Sequence, residues 1–329
     1  MKVPPHSTRL AAVALLFGAV AALQAQSLTV TSPQNGEVLG RSNQIRFTIT
    51  NVNNQIRVVA TATNNSDTSI TFSNEGLFDP NVDRNVSGSL DLNFDEATPS
   101  GTYTVRVQVF SGGSSVANST INNITIDTRT PRFRNVSPSN SSFVNLSVPI
   151  LADIEESTID RWRVRVNDRD IPNNTGTTNS VSVLWDTSRI EEDGPQSISI
   201  KVDDKARNTN TRTINVTLDR VSPSTTVSSP SGISYRPRSI VPVVIRIADQ
   251  YDGSVVSTGV VVEMRTVDGQ YIGRVARRSA RTENQGLTWL GRIRLTNRTP
   301  NQFKVVVTAR DRAGNLAQRQ EVLVTVAGR

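Results

Sequence analysis

Cysteine is absent from all 329 residues, which excludes disulfides, Cys-ligated metals and the N-terminal diacylated Cys of a bacterial lipoprotein anchor. Any folded domain must therefore be held by its apolar core alone. Histidine occurs once, as His6, inside an N-terminal segment expected to be removed. Ser-His-Asp and Cys-His arrangements and His-ligated zinc then have no histidine to use. Aromatic residues make up only 5% of the chain, and lysine supplies 4 of its 36 basic residues. Beyond the N-terminus no run of apolar residues approaches the roughly 20 needed to cross a bilayer as a helix, and no phosphate-cradling glycine loop occurs.

What is abundant is Thr, Ser, Asn and Val, a balance that favours short pleated strands joined by polar turns. The N-terminus has Lys2 and Arg9, an apolar run from Leu10 to Leu23, and the small-residue exit Gln24-Ala25-Gln26. This predicts a signal peptide over residues 1–25, cleaved after Ala25, and hence an exported product: periplasmic, on the cell surface or extracellular, with no transmembrane anchor.

Three punctuation marks recur in the same order along the rest of the chain. Each copy opens with a Ser-Pro turn, at Ser32-Pro33-Gln34-Asn35-Gly36, Ser137-Pro138-Ser139-Asn140 and Ser229-Pro230-Ser231-Gly232. Their separation is close to the roughly 100 residues of one immunoglobulin-like sandwich. Ahead of the second and third openings lies a linker of one design, Ile126-Asp127-Thr128-Arg129-Thr130-Pro131 and Leu218-Asp219-Arg220-Val221-Ser222-Pro223. Such short linkers predict neighbours that touch. Near the end of each copy comes a strand of period two: Val105, Val107 and Val109; Ile198, Ile200 and Val202; Val305, Val307 and Ala309. In copies two and three it runs into a shared D-x-A-x-N turn, Asp204 to Asn208 and Asp311 to Asn315, where the first copy has Ser111-Gly112-Gly113-Ser114.

The expected fold is all-β: three tandem immunoglobulin-like β-sandwich domains after the signal peptide, spanning residues 26–128 (divergent), 129–220 and 221–329. Charge separates them. The first has 5 basic residues against 9 acidic, the second 13 against 13 and the third 16 against 7. A basic third domain can attract anionic polymers by long-range electrostatics, or it can be no more than a soluble Arg-rich surface.

The Ser-Pro openings, Trp185-Asp186-Thr187-Ser188, Asp193-Gly194, the turn Val267-Asp268-Gly269 and the closing Asp311-Arg312-Ala313-Gly314-Asn315 resemble bacterial Ig-like domains of exported proteins. Copies two and three carry the resemblance; the first shares only its opening turn and strand pattern. The resemblance implies structural, spacer or adhesive roles on surface proteins and secreted polysaccharide-active enzymes, with no shared active site.

Candidate sites are few. Trp162, Trp185 and Trp289 could stack sugar rings, but Trp162 alternates with Arg161, Arg163 and Arg165, which turns it inward, and the first domain has Leu92 at the place before the period-two strand that Trp185 and Trp289 hold in the other two, which implies a buried strand position for both. Asp153, Glu155, Glu156, Asp249, Asp252 and Asp311 are carboxylates at turns that could hold calcium, yet none has EF-hand spacing and turn caps account for them, so no metal is assigned. No carboxylate pair stands out for glycoside hydrolysis, so no catalytic residues and no cofactor are assigned. The sequons at Asn64, Asn123, Asn145 and Asn215 are expected by chance in so Asn- and Thr-rich a chain. The densest basic patch, Arg277, Arg278 and Arg281 with Arg292 and Arg294 on a nearby strand, is the candidate anion-binding face. It lacks the interleaved aromatics or helix of a nucleic-acid reader.

The expectation is a non-enzymatic exported structural or adhesive repeat protein of the bacterial cell envelope or surface. The first alternative is a carbohydrate- or anionic-polymer-binding module acting through the third domain; the second is an accessory region of a secreted hydrolase. The partner classes left open are envelope or extracellular polysaccharide and another surface protein.

Overall fold

The computed structural model describes residues 25–231, 234–251, 253–283 and 285–327; the expected leader up to residue 24, with His6, and Asp252 lie outside them. Strands dominate, and no α-helix occurs among the described residues. The chain separates into two compact units, Met1–Thr128 and Arg129–Arg329.

The first unit contains β1 (Ser27–Ser32), β2 (Val38–Leu39), β3 (Ser42–Thr50), β4 (Ile56–Asn64), β5 (Thr71–Phe78), β6 (Val86–Asn93), β7 (Gly101–Ser111) and β8 (Ser114–Ile126). One sheet has the order β1-β3-β6 and the other β2-β8-β7-β4-β5. The chain changes sheet between β1 and β2, at the Ser32-Pro33 turn, whose peptide bond is cis. After that change β2 runs parallel to β8. Two sheets face to face, with the edge strand split between them, form an immunoglobulin-like sandwich.

Period-two patterning explains the interior. Val58, Ala60 and Ala62 of β4 and Val105, Val107 and Val109 of β7 are buried against Ile45, Phe47 and Ile49 of the opposite sheet. Tyr103, at the start of β7, is buried and its hydroxyl donates to the Pro99 carbonyl at 2.8 Å. That is the tyrosine corner of Ig sandwiches, in the copy whose sequence looked divergent. Gly112 (φ 56°) and Gly113 (φ 87°) close the two-residue β7–β8 hairpin, where two successive positive φ angles suit glycine.

The second unit repeats this order twice. Its first sandwich comprises β9 (Arg132–Ser137), β10 (Ser142–Val144), β11 (Ser147–Glu155), β12 (Ile159–Val166), β13 (Arg169–Gly176), β14 (Ser180–Asp186), β15 (Gly194–Asp204) and β16 (Thr209–Leu218). The sheets are β14-β11-β9 and β10-β16-β15-β12-β13. The next sandwich comprises β17 (Ser224–Ser229), β18 (Ser234–Tyr235), β19 (Ile240–Ala248), β20 (Val255–Arg265), β21 (Tyr271–Arg274), β22 (Arg277–Glu283), β23 (Gly286–Arg294), β24 (Gln302–Asp311) and β25 (Gln320–Val326). Here the sheets are β17-β19-β23-β22 and β18-β25-β24-β20-β21, so β22 is an added edge strand. Both sandwiches have the cis Ser-Pro opening and the parallel pair that follows it.

All three tryptophans are buried. Trp162 on β12 is covered so closely by Gly176 of β13 that a Cβ there would lie 2.3 Å from its ring. Trp185 and Trp289 lie on corresponding strands at different positions. Trp185 pairs with Val148, whose counterparts Asn43 and Val241 pair with Leu92 and Ile293; Trp289 pairs with Ile245, two inward positions and four residues before Ile293 on the same face. The inward reading therefore holds for both, while the equivalence with Leu92 belongs to Trp185 alone.

Candidate functional site

The basic candidates fall on one sheet but not on one surface. Arg277, Arg278 and Arg281 lie on edge strand β22, with Arg292 and Arg294 on its neighbour β23, and all five are exposed. Their pairing register separates them. Arg281 lies opposite Thr288, on the outward face with Arg292 and Arg294, whereas Arg277 lies opposite Gly291, on the face that carries Trp289 and Ile293. Arg277 donates to the Ser257 hydroxyl and, with Arg274, lines an open cleft of about 380 Å³ whose floor includes Val260 and Trp289. Arg278 occupies the irregularity between Arg277 and Ser279. A charged edge strand also has a structural use, because it discourages another chain from pairing with the open edge.

The predicted acidic candidates separate in the same way. Asp153 accepts from the Asn135 side-chain amide at 2.7 Å, Glu155 pairs with Arg134 at 2.8 Å, and Glu156 caps the Ser157 and Thr158 backbone N–H groups. Asp249 and Asp311, by contrast, come together, and Asp219 joins them.

Three segments of the second unit position these groups. Asp311 ends β24, where its Oδ1 accepts from the N–H groups of Gly314 (2.7 Å) and Asn315 (2.8 Å) and its Oδ2 from the Asn315 side chain (2.8 Å). Asp249 follows β19 directly. Asp219 follows β16, held by its own N–H donating to Val144 O at 2.9 Å and by Asn315 Nδ2 donating to its carbonyl at 2.8 Å. One oxygen from each of the three carboxylates lies within 4.8 Å of the others. The residues are 0%, 8% and 5% exposed, respectively, for Asp219, Asp249 and Asp311.

The electrostatics of this cluster are unfavourable as it stands. Burial first, and the Asp249 charge second, push the Asp219 carboxyl up to about 6, with Asp311 adding to the repulsion. Burial also raises Asp249, again with repulsion from Asp311. Asp219 Oδ1 accepts from Val221 N and Gln250 Nε2, both at 3.2 Å, but Oδ2 of Asp219 and Oδ2 of Asp249 have no hydrogen-bond partner. Ser254, also fully buried, lies near enough to ease the Asp249 charge, yet its hydroxyl makes no hydrogen bond of good geometry. Buried polar atoms are ordinarily paired, so three orphans in one place call for an explanation.

The surrounding contacts bind two sandwiches together. Arg220 is clamped to Asp193 through Nε (2.5 Å) and its backbone N–H (2.8 Å), and donates to Thr187 O at 3.1 Å. Asn145 Nδ2 donates to Asn315 Oδ1 at 3.0 Å, and the Phe143 and Tyr251 rings lie 6.4 Å apart. The Asn145 sequon is thus engaged within the fold. Sequence reasoning marked Asp219 as linker punctuation and missed it as a site residue. The usable signal was an Asp four residues before the linker Pro in both linkers, next to the Asp of the closing turn.

The fold defines the class: an all-β chain of tandem immunoglobulin-like sandwiches. No protein-family model matches the sequence, and no curated protein matches it. Among solved structures, an Escherichia coli adhesin, FdeC, is 14% identical, with 92% of this chain and 97% of that one covered and a TM-score of 0.41. The fibronectin(III)-like modules of Clostridium thermocellum CbhA are also 14% identical, over 60% of this chain and 94% of that one, with a TM-score of 0.40. The FN1–FN3 domains of chicken CNTN1 are 9% identical, over 92% and 97%, with a TM-score of 0.35. These are remote likenesses, and the fold assignment rests on the strand order of this chain.

Proposed function

We propose that this chain is a non-enzymatic, exported structural or adhesive element of a bacterial cell envelope or surface, whose sandwiches, with boundaries at residues 128/129 and 220/221, space and present a binding surface. The observation that carries this reading is the joint between the second and third sandwiches. Asn145, Asp219, Gln250 and Asn315 spend their hydrogen-bonding capacity on fixing one module to the next, while Arg220, clamped to Asp193, anchors the linker on the second sandwich. A joint of this kind is what a spacer needs and a catalyst does not. The burial of every tryptophan and the use of turn carboxylates as caps point the same way.

A second reading, retention on anionic glycan or envelope polymer through the third sandwich, is favoured by one observation: Arg281, Arg292 and Arg294 share an outward face. Chromatography of the purified chain on anionic and neutral glycans across a salt series tests both readings. The spacer reading expects no retention on either glycan, even at low salt. Retention on the anionic glycan that weakens with salt, and that weakens further in the Arg281→Ala/Arg292→Ala/Arg294→Ala variant, supports the second reading; salt-sensitive retention that the variant keeps unchanged clears that face of responsibility.

A further inference from the structure

The joint holds more negative charge than its own hydrogen bonds can satisfy. We infer that Asp219, Asp249 and Asp311 form a binding site for a hard divalent cation of the calcium type, one that ties the linker to the upper loops of the third sandwich.

The chemistry follows from the ligand set. All donors are oxygen, three from carboxylates, which selects Ca²⁺ or Mg²⁺ over softer metals. Two oxygens bound to one Ca²⁺ at about 2.3–2.6 Å can lie up to about 5 Å apart, and the three here lie within 4.8 Å of one another. The cluster does not stand on acidity alone. Oδ2 of Asp219, in a residue with no exposed surface, and Oδ2 of Asp249, in one 8% exposed, are unpartnered. The wholly buried Ser254 hydroxyl lies beside Asp249 and eases its charge without a hydrogen bond of good geometry. A buried anionic oxygen without donor or cation is costly, and a cation held among the three carboxylates would offset that cost. Asp311 arrives already oriented, because the Gly314 and Asn315 N–H groups hold its carboxylate. Three protein carboxylates leave room for water, and Ca²⁺ tolerates the resulting irregular shell better than Mg²⁺.

The site lies where it can act on geometry. Asp219 belongs to the segment leaving β16, whereas Asp249 opens the loop after β19 and Asp311 ends β24, so one ion bridges linker and module. The inference goes beyond the proposed function and stands whether or not the chain is adhesive.

The test is a calorimetric titration of the full chain, freed of metal by a chelator, with Ca²⁺ and with Mg²⁺, beside Asp219→Asn/Asp249→Asn and an exposed-acid control, Glu191→Gln. The control should bind as many Ca²⁺ ions as the unaltered chain. The double variant should bind one fewer, or bind that ion at least about tenfold more weakly, because affinity follows ligand charge. Failure of the unaltered chain to bind Ca²⁺ at millimolar concentration, or an unchanged count and affinity in the double variant, overturns the site. Should the double variant fail to fold, hydrogen exchange of the unaltered chain decides. Ca²⁺ should slow exchange at residues 249–251, 253–254 and 311–315, and absence of protection there overturns the inference. Glycan retention tests the adhesive reading separately, so the two can fail independently.

Discussion

Buried side chains in this protein do different work according to what meets them. Trp185 is enclosed between two sheets, and Trp185→Ala should cost about 3–5 kcal/mol in a denaturant titration, the range for deleting a large core side chain. Gly176 is glycine because the Trp162 ring occupies the space where its Cβ would go. Gly176→Ala is therefore expected to destabilise by about 1–3 kcal/mol through overpacking, although it adds one methyl on a strand. In the first sandwich, Tyr103→Phe removes the 2.8 Å bond to Pro99 O and leaves the ring in place. The expected loss is about 1–2 kcal/mol, measured as a shift in the unfolding midpoint of the first unit. The inward direction of Trp162 was legible from its alternation with arginine, because period two decides which face a residue takes, whereas Trp289 was read inward through an equivalence with Leu92 that its strand register does not keep. The tyrosine corner was not, since it needs a hydroxyl to meet a carbonyl four residues upstream across a bend.

Strands and turns were legible in proportion to their local chemistry. The Ser-Pro openings, the Gly112-Gly113 hairpin and the D-x-A-x-N turns all appear where their residues put them, because φ preferences and side-chain caps act within a few positions. The added strand β22 was not anticipated as an edge, and its arginines looked like one patch. Pairing divides them, because the irregularity between Arg277 and Ser279 changes which residues share a face. β22 is also open to pairing with another chain. Replacing Arg278 and Arg281 by Val should raise self-association, seen as a larger species by light scattering, with no loss of the monomer's strand content. A monomer unchanged at high concentration would show that the charges do not guard the edge.

At the scale of the molecule, a chain without cysteine must stiffen its joints by other means: the Arg220–Asp193 clamp fixes the linker on the second sandwich, and hydrogen bonds and three converging carboxylates tie that linker to the third. This site was half visible in the sequence. Asp249 and Asp311 were candidates, but Asp219 is 30 residues from one and 92 from the other, and proximity of that kind is a product of strand order, not of spacing. The absence of native cysteine makes the joint directly measurable. Spin labels placed through Ser182→Cys in the second sandwich and Asp268→Cys in the third would report one inter-module distance by pulsed electron resonance. With Ca²⁺ present a single narrow distance distribution is predicted, broadening after chelation. A broad distribution under both conditions would contradict the fixed joint on which the structural reading depends.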